Sequence, residues 1–589
     1  MNNFFLILIT AFVLTFTSCD DLIEPNIANN RGLEAMYADP EFAAGILLNG
    51  YTRIPTNGYS FNDVATDNAV TNNLQNNFRR AATGQWDSNF NPFDQWNNSK
   101  AAIQYLNIFI QEVDKVNWAN DEVVRSLFAR RLKGEAYGLR ALYMYFLLQA
   151  HSGVTDNNQL LGVPILLQPE TVASNFNIPR NTFQECLNQI YSDIELASQL
   201  LPLDYETAAA IPAGFPNVDL SIYNRVFDNQ ARGRVSKRIV MFLKAQVALL
   251  AASPAYNLNN SQSAWATAAS AAGELLTING GIGGIDPNGL TWYRNAEIET
   301  LGSGVNSREV VWRGDIANSN NLELEHFPPS LFGSGRLNPT QNLVDAFPAS
   351  NGYPITNPLS NYNAANPYAN RDARLNHYIL LNGTTAGVAN TVISTASNST
   401  TIDGLNRVET STRTGYYMKK LLRQDVNLNP QTRTQQRHYN ARMRYTELYL
   451  IYAEAANEAF GPEGTSTFGF SAYDVIRGLR RRAGIGSNTT DLYLESIKNN
   501  KDAMRTLIRN ERRLELCFEG FRFWDLRRWK ENLTEPARGV NIQTTSGSST
   551  FTIIPEVEER SFTPDMIYGP IPYLETLKFN ALIQNKGWR

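Results

Sequence analysis

Apolar positions in this chain recur mostly at helical spacing. Leu132, Ala136, Leu139, Tyr143 and Phe146 form one stripe, in a segment that Asn120 can cap and Gly153 closes, which predicts a helix to about Gln149. Leu187, Ile190, Ile194, Ala197 and Leu201 form a second, opened by a Thr182–Glu185 capping box and stopped at Pro202. Ser236 opens a third, with Ile239, Leu243, Gln246 and Leu250, ending near Pro254. Further helices are expected over about 97–116, 263–278, 442–460, 471–483 and 501–519, with Trp96 a core residue at the start of the first. Ala245, Ala248, Ala251 and Ala252 line one packing side, and Ala453, Ala455, Ala456 and Ala459 another. Such small residues let helices approach closely, and paired helices of this kind suggest tetratricopeptide-like hairpins.

Insertions of tens of residues interrupt the helical period. The stretches 50–95, 203–230, 279–440 and 533–589 are rich in Gly, Asn, Pro and aromatic residues. Long ordered loops on a rigid scaffold are where binding usually sits. A different pattern opens the chain. The uncharged apolar run Phe4 to Phe16 falls short of the about 20 residues a spanning helix needs. It fits a secretory signal, and Cys19 directly after the small Ser18 makes it a lipoprotein signal. Two details are irregular: Met1-Asn2-Asn3 carries no Lys or Arg, and Phe16 stands where an aliphatic residue is usual. The expected division is a signal peptide over 1–18 and a tether lipidated at Cys19 over 19–40.

Composition narrows the chemistry. Among 589 residues, 43% are hydrophobic and 18% charged, with a net charge of −4 and no long run of one sign, so a nucleic-acid partner is not expected. The four histidines show no metal-ligand spacing, and no nucleotide or hydrolase motif occurs; no metal or cofactor is expected. Gly280 to Gly284 follows a helix and reads as a turn. Asp425-Val426-Asn427-Leu428-Asn429 begins like a calcium loop, but Pro430 and Gln436 stand where Gly and Glu are required. Cys186 and Cys517 fall in predicted helices and read as two buried thiols, with a disulfide between them left open. Glu511, Glu515, Glu519 and Asp525 invite a glycosidase reading, yet six arginines surround them. Arginine lowers a carboxyl pKa, the reverse of what a general acid needs, so an ion-pair ladder is expected and no catalysis.

That stretch, from Ile508-Arg509-Asn510-Glu511-Arg512-Arg513 through Glu519-Gly520-Phe521-Arg522-Phe523-Trp524-Asp525 to Arg528-Trp529, resembles the C-terminal signature of the SusD/RagB family. The resemblance continues in order along the chain. It takes in Gly162-Val163-Pro164, Gly233-Arg234-Val235-Ser236 and Ala252-Ser253-Pro254-Ala255-Tyr256-Asn257. Asn366 to Arg374 follows, with Ala373 where Pro is usual, then Gly415 to Lys420, Arg444 to Ala455, Ile571-Pro572 and Gln584 to Trp588. The family implies a mainly α fold: a superhelical scaffold of four tetratricopeptide-like hairpins beside a loop-rich ligand-binding lobe. Its N-terminal region would span 41–300 and its C-terminal region 301–589, as one intertwined unit. It implies a non-enzymatic lipoprotein of the outer membrane, facing the cell exterior. Such proteins capture nutrients for a SusC-like TonB-dependent transporter. Trp524 and Trp529 are expected to stack with Arg522 and Arg528 inside the scaffold.

A glycan ligand requires flat aromatic faces beside planar amides and carboxylates. Two stretches offer both. One runs from Tyr59-Ser60-Phe61 to Asp67-Asn68, with Trp86 and Phe90-Asn91 beyond; the other holds Trp292-Tyr293-Arg294-Asn295, Trp312, His326-Phe327 and Phe332. The candidate contacts are Tyr59, Asp67, Asn68, Trp86, Trp292, Tyr293 and Phe327, and for each a packing role competes with contact. The alternatives are capture of oligopeptides, or a surface glycosidase using Glu519 and Asp525.

Overall fold

The computed structural model describes residues 32–588, so the expected signal peptide and Cys19 lie outside the described residues. The longer helices are α1 (Pro40–Thr52), α2 (Trp96–Glu112), α3 (Glu122–His151), α4 (Phe183–Leu200), α5 (Lys237–Ala252), α6 (Gln262–Ile278), α7 (Tyr445–Phe460), α8 (Ala472–Arg482), α9 (Lys501–Glu515) and α10 (Arg522–Trp529). They pack as successive pairs, α1 on α2, α3 on α4, α5 on α6, and α7 against α8 and α9, giving the tetratricopeptide-like superhelix. Close approach is built in at Gly138 on α3, where a Cβ would come within 2.7 Å of Val235. The alanines expected on the packing side of α7, Ala453, Ala455, Ala456 and Ala459, are all buried. Indeed α7 is buried on every side from Tyr445 to Ala459, against both α6 and α9.

Local chemistry explains most boundaries. The Thr182–Glu185 capping box is present at α4. Helix α3 starts one residue later than Asn120 suggests, because Asp121 accepts the Val124 N–H at 2.9 Å. Residues 442–444 are not helical. Strand β2 (Ala441–Arg444) pairs antiparallel with β1 (Val310–Arg313), and α7 begins only at Tyr445. The cause is Arg444, whose extended backbone sends its guanidinium to Glu309 and Glu519, at 2.7 and 2.6 Å. Helix α9 stops at Glu515 rather than 519, as Phe518 turns to a φ of 66°. Folded structure also begins ahead of residue 40, where the tether was expected to end. Residues Ala35–Ala38 are already helical, Met36 is buried, and the Tyr37 hydroxyl donates to Glu112 at 2.6 Å.

The stretch 279–440 forms a second lobe of short helices and two-stranded sheets around its own core, which includes Trp292, Phe327, Leu343, Tyr378 and Phe518. Cys186 lies in the helical core and Cys517 in this second one, so no disulfide joins them. Burial pushes their thiols up to about 11 and about 12. Gly281–Gly284 is a single helical turn after α6. In the calcium-like segment Asp425 turns onto Arg423, at 2.6 and 2.9 Å.

The signature carboxylates bind the lobes together. Glu511 receives Arg374 from the loop lobe at 2.7 Å and Arg480 from α8 at 2.9 Å. Glu515 receives Arg374 and Arg482, each at 2.9 Å. On α10, Asp525 lies between Arg512 and Arg528, each at 2.8 Å, and Arg528 continues to Glu454 of α7. Trp529 is buried beneath Arg528 and Arg509, as expected of a stacked scaffold residue. The chain also closes on itself, with Trp86 edge-on to Trp588 at 4.8 Å.

Candidate functional site

A cavity of about 190 Å³ lies where the helical scaffold meets the loops. Its walls come from the loop after α1, the segment before α2, the inner faces of α3 and α5, strand β2, and α10. Tyr59, Phe146, Phe521 and Trp524 line it and are only half-buried, so each keeps an open surface. Trp524 therefore does more than the scaffold stacking expected of it, although Arg527 sits 5.2 Å from its ring.

The polar part of the wall is unusual. Buried polar atoms nearly always find a partner. Here the side-chain oxygens of Asn62, Gln95 and Asn440 are buried with no hydrogen-bond partner among the described residues, and Nη1 of Arg512 is likewise unpaired. The amide ends of two of these residues are fixed, since Asn62 donates to the Gly520 carbonyl at 3.2 Å and Asn440 donates to that of Thr56. The Asn62 and Asn440 acceptors are thus held in place and unused.

Three acids line the same cavity. Burial would raise the Glu519 carboxyl, but Arg444 and Lys420 outweigh it and hold it below the usual carboxylate range. Asp525 is engaged by its two arginines. Glu519 is therefore not set up to donate a proton. Glu447 differs: burial pushes it up to about 7, only partly offset by Arg512 and by the Gln246 amide that donates to it at 2.8 Å.

The residues expected to contact ligand divide sharply. Tyr59 lines the cavity. Asp67 lines a second cleft and is bound by Arg522 and Arg513, at 2.8 and 2.9 Å. Asn68 is fully buried, donating to Asp63 at 3.2 Å and accepting from Arg513 at 2.8 Å. Trp86 is buried among Phe93, Phe523, Phe562 and Trp588, and donates to Asn91 at 3.0 Å. Trp292, Tyr293 and Phe327 are interior residues of the loop lobe, with 1%, 4% and 1% exposure. The two aromatic stretches therefore meet only in part: Trp312 of the second lines the same cavity as Tyr59, while Trp292, Tyr293 and Phe327 build a core. Sequence reasoning passed over Gln95, Asn440 and Phe521. Phe521 and Trp524 stood inside the arginine-rich signature, where a wall residue and a scaffold residue look alike.

A helical-repeat scaffold whose inner face carries a half-open aromatic and amide pocket defines a ligand-binding class of protein. Comparison with known proteins narrows it. Residues 305–588 match the model of the SusD family, and residues 43–213 match a SusD-like family described as starch-binding, associating with the outer membrane. The chain belongs to the SusD/RagB family. Two SusD-like proteins of Formosa agariphila, P2 and P38, are 39% and 36% identical over 88 and 83 residues. Those stretches cover 15% and 14% of this chain, and only 16% and 15% of the relatives' lengths. A SusD-like protein from Bacteroides fragilis has the same fold, with a TM-score of 0.69 at 21% identity over 94% of this chain and 98% of its own. A SusD-like carbohydrate binding protein from the same species gives 0.65 at 20% identity, over 93% and 99%. A laminarin binding SusD-like protein gives 0.56 at 18%, over 94% and 100%.

Proposed function

We propose that the protein captures oligo- or polysaccharides at the cell surface and passes them to a SusC-like TonB-dependent transporter. The observation that carries this reading is the shared wall of the cavity. Half-open rings of Tyr59, Phe146, Phe521 and Trp524 face the same space as the unpaired oxygens of Asn62, Gln95 and Asn440. Rings suit the C–H faces of a sugar, and fixed acceptors suit its hydroxyls. The carbohydrate-binding description of structural relatives points the same way. A binding role fits the paired state of Glu519 and Asp525 better than turnover does.

Affinity electrophoresis against a panel of neutral glycans and peptides tests it. The wild type is expected to be retarded by at least one glycan. Tyr59→Ala and Trp524→Ala should each weaken that binding about tenfold, the scale of one lost aromatic contact. Binding of peptides alone, or glycan affinity indifferent to both substitutions in folded protein, would overturn the proposal.

The same reading places the protein on the outer membrane, facing the exterior and anchored through lipid on Cys19. Among the described residues no helix is long and apolar enough to cross a membrane. Cell fractionation provides the check: Cys19→Ser should move the folded protein from the membrane to the soluble fraction. Retention at wild-type level would remove the anchor from the proposal.

A further inference from the structure

A second cleft, of about 530 Å³, opens on the far side of α10 from the cavity wall formed by Trp524 and Asp525. Its size falls within the roughly 300–1,000 Å³ typical of ligand sites. Five arginines and three carboxylates line it; of the acids, Glu535 accepts from the Asn342 amide at 3.4 Å, and Asp67 and Glu531 pair with arginines. Arg505 is occupied by Glu458, which it meets at 2.5 and 2.6 Å. The other four are under-used. Arg513 and Arg522 share the single carboxylate of Asp67, so two guanidinium groups face one anion. Their Nη1 atoms make no hydrogen bond among the described residues. Arg509 pairs with Glu531 and Arg538 with Asp345, yet the Nε of each is buried without a partner.

The two buried Nε atoms carry the cost of an unpaired donor, while the Nη1 atoms of Arg513 and Arg522 are not buried and are open to a ligand. Burial pushes the Arg513 guanidinium down to about 10 in spite of Asp67, whereas at Arg522 burial is outweighed by Asp67, which holds it above its ordinary value, so Arg513 is the less well paired of the two. Lys would offer a point charge; arginine offers planar paired donors that match a carboxylate or a sulfate ester. Thr506 and Asn532, both exposed, add hydroxyl and amide groups at the rim. The whole chain carries a net charge of −4, so general attraction to polyanions does not account for such a site.

We propose that this cleft binds the anionic substituent of an acidic saccharide, a uronate carboxylate or a sulfate ester, held between Arg509, Arg513, Arg522 and Arg538. The proposal rests on the glycan-capture reading and specifies the class of glycan. It also assigns capture to two places on one molecule: a neutral-ring cavity and an acid-recognising cleft.

The experiment is calorimetry on the whole mature chain with three probes: polygalacturonate oligosaccharides, sulfated dextran and neutral dextran. The wild type is expected to bind one of the two acidic probes at least tenfold tighter than neutral dextran, and which one it prefers separates carboxylate from sulfate. The double variant Arg509→Gln with Arg538→Gln should lose that preference while keeping its unfolding temperature. Should that variant fail to fold, Arg538→Gln alone and a rise in salt serve in its place. Each should weaken acidic binding about tenfold, as expected for loss or screening of a charge-assisted contact. Equal affinity for acidic and neutral probes, or an acidic preference unchanged by the substitutions and by salt, overturns the proposal. Tyr59→Ala with Trp524→Ala keeps the two readings apart, because it should weaken neutral glycans and leave the acidic preference in place.

Discussion

Replacing Glu511 with alanine is expected to lower the stability of the protein by about 3–5 kcal/mol, the range for breaking a buried ion pair from one side. Glu511 is fully buried. It meets Arg374 at 2.7 Å and Arg480 at 2.9 Å, and those arginines come from different parts of the chain. Removing the carboxylate leaves both guanidinium groups in place with one anion fewer. Arg374 would keep Asp372 and Glu515, and Arg480 would keep Asp491, so the damage is partial rather than complete. Burial would raise the Glu511 carboxyl, but Arg374 and Arg480 outweigh it and hold it below the usual carboxylate range. Its folded pKa is thus depressed. Its stabilising effect is present above the unfolded value of about 4.5 and is lost as pH falls through the folded one. Urea unfolding at pH 7 measures the effect. Lys578→Ala serves as the comparison: it breaks a surface pair with Glu575 in which Lys578 is 60% exposed, and should change little. If the two variants unfold alike, the network is not what joins the lobes.

Glu447 should behave in the opposite sense. Burial pushes it up to about 7, above its unfolded value of about 4.5. The neutral form is the one the cavity wall favours. The corresponding stability is fully present below pH 4.5 and is lost as pH rises through 7. Between pH 5.5 and 8.5 the wild type should therefore lose about 2 kcal/mol that a Glu447→Gln variant does not. Glutamine keeps an oxygen to accept the Gln246 amide, so the variant should pack normally. Paired urea titrations of both proteins at the two pH values isolate this group from all others. Parallel pH dependence in the two proteins would show that Glu447 ionises freely.

Most helices were legible because they bury one face of a simple repeat. Thr182 and Glu185 announce α4, and the Ala-rich side of α7 announces its central place. Legibility ended where a residue serves a distant partner. Nothing local distinguishes Arg442-Met443-Arg444 in a strand from the same residues in a first helical turn; Glu309 and Glu519 decide it from elsewhere in the chain. The same limit applied to ligand contacts. Tyr59 and Trp292 both sit in Gly- and Asn-rich loops, but one lines a cavity and the other fills a core. Which surface an aromatic ring faces is a property of the assembled lobe. Trp524 was hidden differently, since its neighbours on α10 form a buried charge network.

The contact of Trp86 with Trp588, and of α6 with α7, bears on how the molecule can be made. Early and late residues meet only after very large loops have closed, and that entropy must be lost before the contacts repay it. A chain cut before α7 would leave one side of α6 bare and the scaffold without its central helix. The two halves are therefore not modules that could be exchanged or shortened independently. Diversification of such a protein has to run through its loops, where Tyr59 and Asn440 sit, while the order of its helices stays fixed.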